Sequence, residues 1–253
     1  MRDDQVDVQT DVTGGEPSGR EPAVPPRWRT ILALGLTGMA AVVVWGFAVR
    51  GRTGEMAVVI WLDQHHAPVL DAVTSAISWA VQPPRAILIC ALLAGVIAWS
   101  TGLASTGLGF GLAWGLAWGS CFLVKLLVNR PRPDWALLDH HVTGPERDPS
   151  FPSGHVSYVS TAVAVLLLIT GPGRRRVWVG IIGILATLAM AGTRVYVGVH
   201  YPSDAMAGLV YGLCAGAVMY IAVAAVATRT ELTGRTDRAA APALARLHGR
   251  GAL

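Results

Sequence analysis

Lys125 is the only lysine in a chain that carries nineteen arginines. It stands near the end of an apolar run, seven residues before Arg132, in the stretch KLLVNRPRP. Two other stretches hold comparable chemistry, FPSGHVSYVS (151–160) and TRVYVGVHYPSD (193–204). Together they supply three cations (Lys125, Arg132 and Arg194), the Ser153 hydroxyl, two histidines (His155 and His200), and Asp204 four residues after His200. Three cations suit a doubly charged phosphoryl group, whose oxygens gain charge as it is transferred. Arginine grips such oxygens bidentately, whereas lysine acts as a point charge. Ser153 sits at a plausible N-cap, with Gly154 and His155 in the first helical turn, where free backbone N–H groups favour an anion. A carboxylate that accepts one ring N–H of a histidine leaves the other nitrogen free as nucleophile or base. The chain offers no cluster of carboxylates to hold magnesium. The expectation is therefore phosphoryl transfer without metal or cofactor.

Each feature also has an ordinary reading. A lone lysine near a helix end can snorkel to lipid headgroups, PSGH can be a capped helix start, and Asp204 can cap a helix. What separates the readings is whether the three stretches meet, and that depends on the elements between them.

The sequence is 253 residues long, 53 % hydrophobic and 14 % charged. Soluble domains carry about a quarter charged residues, so a membrane protein is expected. Residues 1–26 are polar and aperiodic and read as a disordered tail. Ile31–Val49 is long enough to cross a bilayer, and the following AVRGRTGE is a poor cleavage site, so it reads as a retained helix. Residues 50–85 mix apolar positions with Asp63, His65, His66 and Asp71, the pattern of helices lying along an interface. Ala86 to Val124 carries no charge. As one helix it would measure about 58 Å, roughly twice a hydrocarbon core, so it divides into two spans with a turn near 100–107. Further spans are expected at 155–170, 177–193 and 205–228. Cys90, Cys121 and Cys214 all lie in apolar runs and read as small buried side chains.

The fold class expected is thus all-α, with six transmembrane helices and short interfacial helices between spans one and two. It divides into a tail (1–29), a six-span domain (30–228) and a basic tail (229–253) with room for a short surface helix. Counting spans then brings the end of span three, the start of span four and the junction of spans five and six to one membrane face. Arg27, Arg29, Arg174–Arg176 and Arg229 mark the opposite face as cytoplasmic, with both termini there. The site would face outward from the cell membrane.

In order and spacing, Lys125…Arg132-Pro133, Pro152-Ser153-Gly154-His155 and Thr193-Arg194…His200…Asp204 resemble the three signatures of the type 2 phosphatidic acid phosphatase superfamily. The resemblance covers about residues 30–228, and its one departure is Thr193 where the signature has serine. It implies that His200 attacks phosphorus, that Asp204 orients it, and that His155 protonates the leaving oxygen. Lys125, Arg132, Ser153, Gly154 and Arg194 would hold the phosphoryl oxygens. Arg130 falls outside the motif register and reads as an interfacial charge. The wording NRPRP, SFPSGH and RVYVGVHYPSD is similar to bacterial undecaprenyl pyrophosphate phosphatases, so a polyprenyl pyrophosphate is the favoured substrate.

Phosphatidic acid or phosphatidylglycerophosphate is the alternative substrate, and a phosphotransferase or a transporter the remoter reading. The expected partners are a lipid phosphate and the bilayer, with no nucleic acid. The pairs His65–His66 and His140–His141 read as interfacial residues rather than metal ligands, and Glu146 and Asp148 as loop charge or as groups that tune substrate access.

Overall fold

The computed structural model describes residues 24–229 and 232–249; the tail expected over 1–26 lies, up to residue 23, outside them. The described residues form nine α-helices: α1 (Trp28–Val49), α2 (Met56–Asp63), α3 (Pro68–Ala80), α4 (Pro83–Thr101), α5 (Ala104–Val128), α6 (Gly154–Ile169), α7 (Arg174–Tyr196), α8 (Pro202–Arg229) and α9 (Leu232–Gly249). A single 3-10 turn, Trp135–Leu137, interrupts the long loop between α5 and α6. The all-helical expectation holds. Helices α1, α4, α5, α7 and α8 are long and apolar enough to cross a membrane. The sixth expected span, α6, has only 16 residues, or about 24 Å.

The short α6 is the centre of the bundle, and its sequence explains why. Ser157, Ser160 and Thr161 are fully buried, and each donates to a carbonyl of α8. The acceptors are Gly208 and Gly212, each at 3.2 Å. Glycines recur every fourth residue on α8, at 208, 212 and 216. A Cβ at Gly208 would stand 2.6 Å from the Ser153 carbonyl, and one at Gly216 would stand 2.9 Å from that of Thr161. Lipid tails give helices no hydrophobic reason to associate, so close backbone approach and interhelical hydrogen bonds must do so. The glycine stripe permits both.

Outward, the bundle is apolar. Leu108, Leu112, Leu116 and Leu123 on α5 and Leu88, Leu92 and Val96 on α4 are all exposed. Such a surface has its solvent in the bilayer. The turn between α4 and α5 falls at Gly102, whose φ of +70° suits a residue without Cβ, inside the expected 100–107 window. Helices α2 and α3 are too short to span, at 8 and 13 residues. Tyr196 at the end of α7 pins α3, donating to Asp71 Oδ1 at 2.7 Å and accepting from the Ala67 N–H at 2.9 Å. Helix α9 covers part of the expected basic tail and meets α5, where Asp237 accepts from the amide and hydroxyl of Ser105.

Candidate active site

Helix α5 ends where the sequence directs. Asn129 adopts the left-handed conformation (φ +48°) and its N–H closes the last turn on the Lys125 carbonyl. Pro131 and Pro133 then keep the chain extended, because a residue before proline avoids the helical region. The segment just before α6 is stitched to this strand. Ser150 donates its N–H to the Arg130 carbonyl and its hydroxyl to that of Pro131. Ser153 donates its N–H to the Asp204 carbonyl of α8 at 2.9 Å. Arg132 closes the ring by donating to the Val199 carbonyl at 2.6 Å. The three stretches meet at one end of the bundle.

The cations are gathered by two carboxylates of the α5–α6 loop. Asp148 bridges Lys125 (2.6 Å) and Arg132 (2.8 Å). Glu146 bridges Arg132 (2.7 Å) and Arg194 (3.5 Å). Arg194 is fully buried and also donates to the Ser78 hydroxyl of α3. Burial alone would raise the Asp148 carboxyl, but the charges and hydrogen bonds of Lys125 and Arg132 outweigh it and hold the group below its ordinary value.

His200 follows Gly198, whose φ of +71° turns the chain before α8, and its side chain is fully buried. Arg132 stands 3.2 Å from Nε2. A guanidinium only donates, so Nε2 accepts and the ring proton is assigned to Nδ1. Nδ1 faces Asp204 Oδ2 at 3.6 Å, an ion-pair approach longer than a hydrogen bond. Burial first, then the charges of Arg132, Lys125 and Arg194 and of His155, hold the imidazole well below its ordinary value. It is a neutral base with a lone pair aimed at a cluster of cations.

A cavity of about 820 Å³ opens beside these groups. Lys125, Gly154, His155, His200, Glu146 and Asp148 line it together with Trp79, Val81, Trp118 and Phe122. Arg132 and Arg194 are not in its wall and are joined to it through Glu146 and Asp148. Ser153 occupies the N-cap position but its side chain caps nothing; its Oγ and His155 Nε2 are buried and make no hydrogen bond among the described residues. Every residue expected at the site therefore lies at this end of the bundle.

One expectation fails. Arg130, read as an interfacial charge, is 1 % exposed and bound to Asp204 Oδ1 at 2.6 Å. The signal was present. In an extended segment, residues two apart share a face, so once RPRP leaves the helix, Arg130 must point where Arg132 points. Both reach the 199–204 stretch. Glu55, which pairs with Arg130 at 3.1 Å, carries no comparable mark in the sequence.

The histidine pairs lie apart from this centre. His66 bonds Asp71 at 2.8 Å and stacks between Tyr196 and His140, while His65 and His141 stack on Trp61 and Trp135. Among the described residues no three His, Cys, Asp or Glu side chains are grouped to hold a metal ion.

A multi-span helical bundle with a buried histidine facing three cations defines a recognisable class of membrane protein. Residues 106–227 match the PAP2 superfamily model. An undecaprenyl-diphosphatase of Sulfolobus acidocaldarius is 48 % identical over 65 residues, which cover 26 % of this chain and 29 % of that protein. A decaprenylphosphoryl-5-phosphoribose phosphatase of Mycobacterium tuberculosis is 36 % identical over 97 residues, covering 38 % and 50 %. The matches thus span half or less of these relatives' lengths. The fold is similar to the solved PAP2-type phosphatidylglycerolphosphate phosphatase of Bacillus subtilis, with a TM-score of 0.56 and 18 % identity over 80 % of this chain and 96 % of that one. Aquifex aeolicus LpxE gives 0.54 and 20 %, over 68 % and 97 %.

Proposed function

We propose that the protein is a membrane phosphatase that hydrolyses a lipid phosphate or pyrophosphate through a phosphohistidine on His200. The observation that carries this reading is the His200 ring, buried and neutral, with Nε2 3.2 Å from Arg132 and Nδ1 turned to Asp204. In the first step Nε2 bonds phosphorus as the lipid P–O bond breaks, and His155 protonates the leaving oxygen. In the second, water attacks phosphorus, His155 takes its proton, and the P–N electron pair returns to Nε2. Lys125, Arg132, Arg194, Ser153 and the Gly154 N–H hold the phosphoryl oxygens. Substrate binding exchanges the Glu146 and Asp148 carboxylates for those oxygens on the same cations.

A lipid substrate fits a cavity whose wall combines charged groups with tryptophan and phenylalanine. The similarity to two polyprenyl-lipid phosphatases favours undecaprenyl pyrophosphate, cleaved to undecaprenyl phosphate and phosphate. Phosphatidic acid or phosphatidylglycerophosphate is the second reading, favoured by the B. subtilis neighbour. The arginines at Arg174–Arg176 support a site on the extracytoplasmic face of the cell membrane. Phosphate release by the purified protein in detergent with EDTA tests the activity and its substrate. Undecaprenyl pyrophosphate, phosphatidic acid, phosphatidylglycerophosphate and a soluble phosphomonoester are compared. Turnover of a lipid phosphate is expected, greatest on the pyrophosphate. Loss of all turnover in EDTA contradicts the metal-free mechanism, and silence on every substrate contradicts the assignment.

A further inference from the structure

The Arg130 side chain is fully enclosed and serves several partners at once. One terminal nitrogen donates to Asp204 Oδ1 and to the Ser203 hydroxyl, both at 2.6 Å. The other donates to Glu55 Oε1 at 3.1 Å and to the Arg52 carbonyl at 3.2 Å. The Tyr201 ring lies 4.2 Å from the guanidinium carbon. Glu55 is held in turn, accepting from the Ser203 N–H at 2.7 Å and hydroxyl at 2.6 Å. The clamp thus joins the α1–α2 turn, the exit of α5 and the first turn of α8.

Arg130 is enclosed by Asp204, Ser203, Glu55, Arg52 and Tyr201, none of which lines the cavity, whereas Arg132 and Arg194 are joined to its wall through Glu146 and Asp148. The route from Arg130 to the chemistry runs through Asp204. With Oδ1 fixed by Arg130, and Oδ2 accepting the Tyr201 N–H at 2.8 Å, the carboxylate plane has no freedom to turn. Oδ2 is then the oxygen that faces His200 Nδ1. Stability alone does not call for this arrangement, because well-packed apolar groups commonly replace a buried ion pair without loss. A fixed carboxylate orientation does call for it.

We propose that Arg130, clamped by Glu55, is a positioning residue that fixes Asp204 and, through it, holds His200 with Nε2 toward the phosphoryl group. This rests on His200 being the nucleophile. The clamp then acts on the formation and breakage of the P–N bond and leaves phosphate binding alone. Turnover should fall while KM does not move.

The test uses the full-length protein in detergent as wild type, Arg130→Lys and Glu55→Gln, with thermal midpoints measured alongside. Each is assayed for kcat and KM on the best lipid phosphate, and for inhibition by orthovanadate as a probe of the phosphate pocket. Arg130→Lys keeps the charge but loses the fork, and kcat should drop about tenfold, the scale of such supporting contacts. KM and vanadate inhibition should stay within about twofold of wild type. Glu55→Gln, partly exposed and less prone to unfold the protein, should lower kcat about threefold with the same split. A wild type without turnover overturns the phosphatase reading and this proposal with it. An active wild type with variants of unchanged kcat overturns this proposal alone. So does a matching loss of vanadate affinity, which would make Arg130 part of the phosphate pocket.

Discussion

Arg130 and Arg132 are two residues apart on one extended strand, yet they sit in opposite electrostatic settings. Arg132 is paired with Glu146 and Asp148, whose side chains are 27 % and 38 % exposed. Arg130 also has a partly exposed partner, Glu55, but its closest carboxylate is Asp204, whose side chain is at 0 %. A carboxylate that reaches water can be rehydrated as it leaves its cation, so it exchanges more readily than one sealed from solvent. The first pair describes a binding site whose ligands are exchangeable, and the second a framework that holds geometry.

The largest test of this contrast lies between the two arginines, at His200. His200→Ala should lower phosphate release by at least about a thousandfold, as loss of a nucleophile does, with an unchanged thermal midpoint above pH 7. Substantial turnover in that variant removes the assignment. Next come the arginines themselves. Arg130→Met strands Asp204 and should cost about 3–5 kcal/mol of stability, read as a large fall in thermal midpoint or failure to fold. Arg132→Met should leave the midpoint within a few degrees but raise the orthovanadate inhibition constant at least tenfold. Equal thermal losses in both variants would erase the distinction drawn here.

Smaller effects should come from the displaceable carboxylates. Glu146→Gln removes one competitor for Arg132 and Arg194, so KM for a lipid phosphate should fall about threefold, the scale of a partly exposed pair. A rise in KM would show that Glu146 helps to hold substrate. The smallest effect is on pH dependence. An unfolded histidine takes a proton near pH 6.5, whereas His200 in the fold does not. Below about pH 6.5 the unfolded state therefore binds the extra proton, and stability declines as pH falls. His200→Gln should flatten that slope between about pH 6.5 and 5, measured by thermal midpoint. Asp148 and Glu55, both held below the ordinary carboxylate range, act in a lower window. Their contribution is present above about pH 4 and is lost as the pH falls further.

Much of the architecture was legible because bilayer length and charge-free runs leave few choices. The division of 86–124 followed from length alone, and the turn fell at Gly102. The α6–α8 interface was not read, although Gly208, Gly212 and Gly216 stand at a regular spacing. Their meaning depends on Ser157, Ser160 and Thr161 being their neighbours, which no local pattern announces. At the site, residue types and spacing picked out Lys125, Arg132, Ser153, Gly154, His155, Arg194, His200 and Asp204. Arg130 was set aside because it falls outside the motif register, although the extended RPRP segment turns it to the same stretch as Arg132. Glu146 and Asp148 were left between two meanings until their partners were known.

By itself, the sequence determined the helices, the apolar segments and the end of the bundle at which the polar stretches meet. These follow from chain length, from hydropathy and from the conformations that proline and glycine impose, all of which are local. Which cation faces which carboxylate was decided only by the tertiary structure. Lys125, Arg132 and Arg194 meet two carboxylates that water can reach, whereas Arg130 meets, besides the partly exposed Glu55, one that it cannot, Asp204. Burial is a property of the packed bundle, and burial decides whether an ion pair can be exchanged for a phosphoryl group or must stay closed.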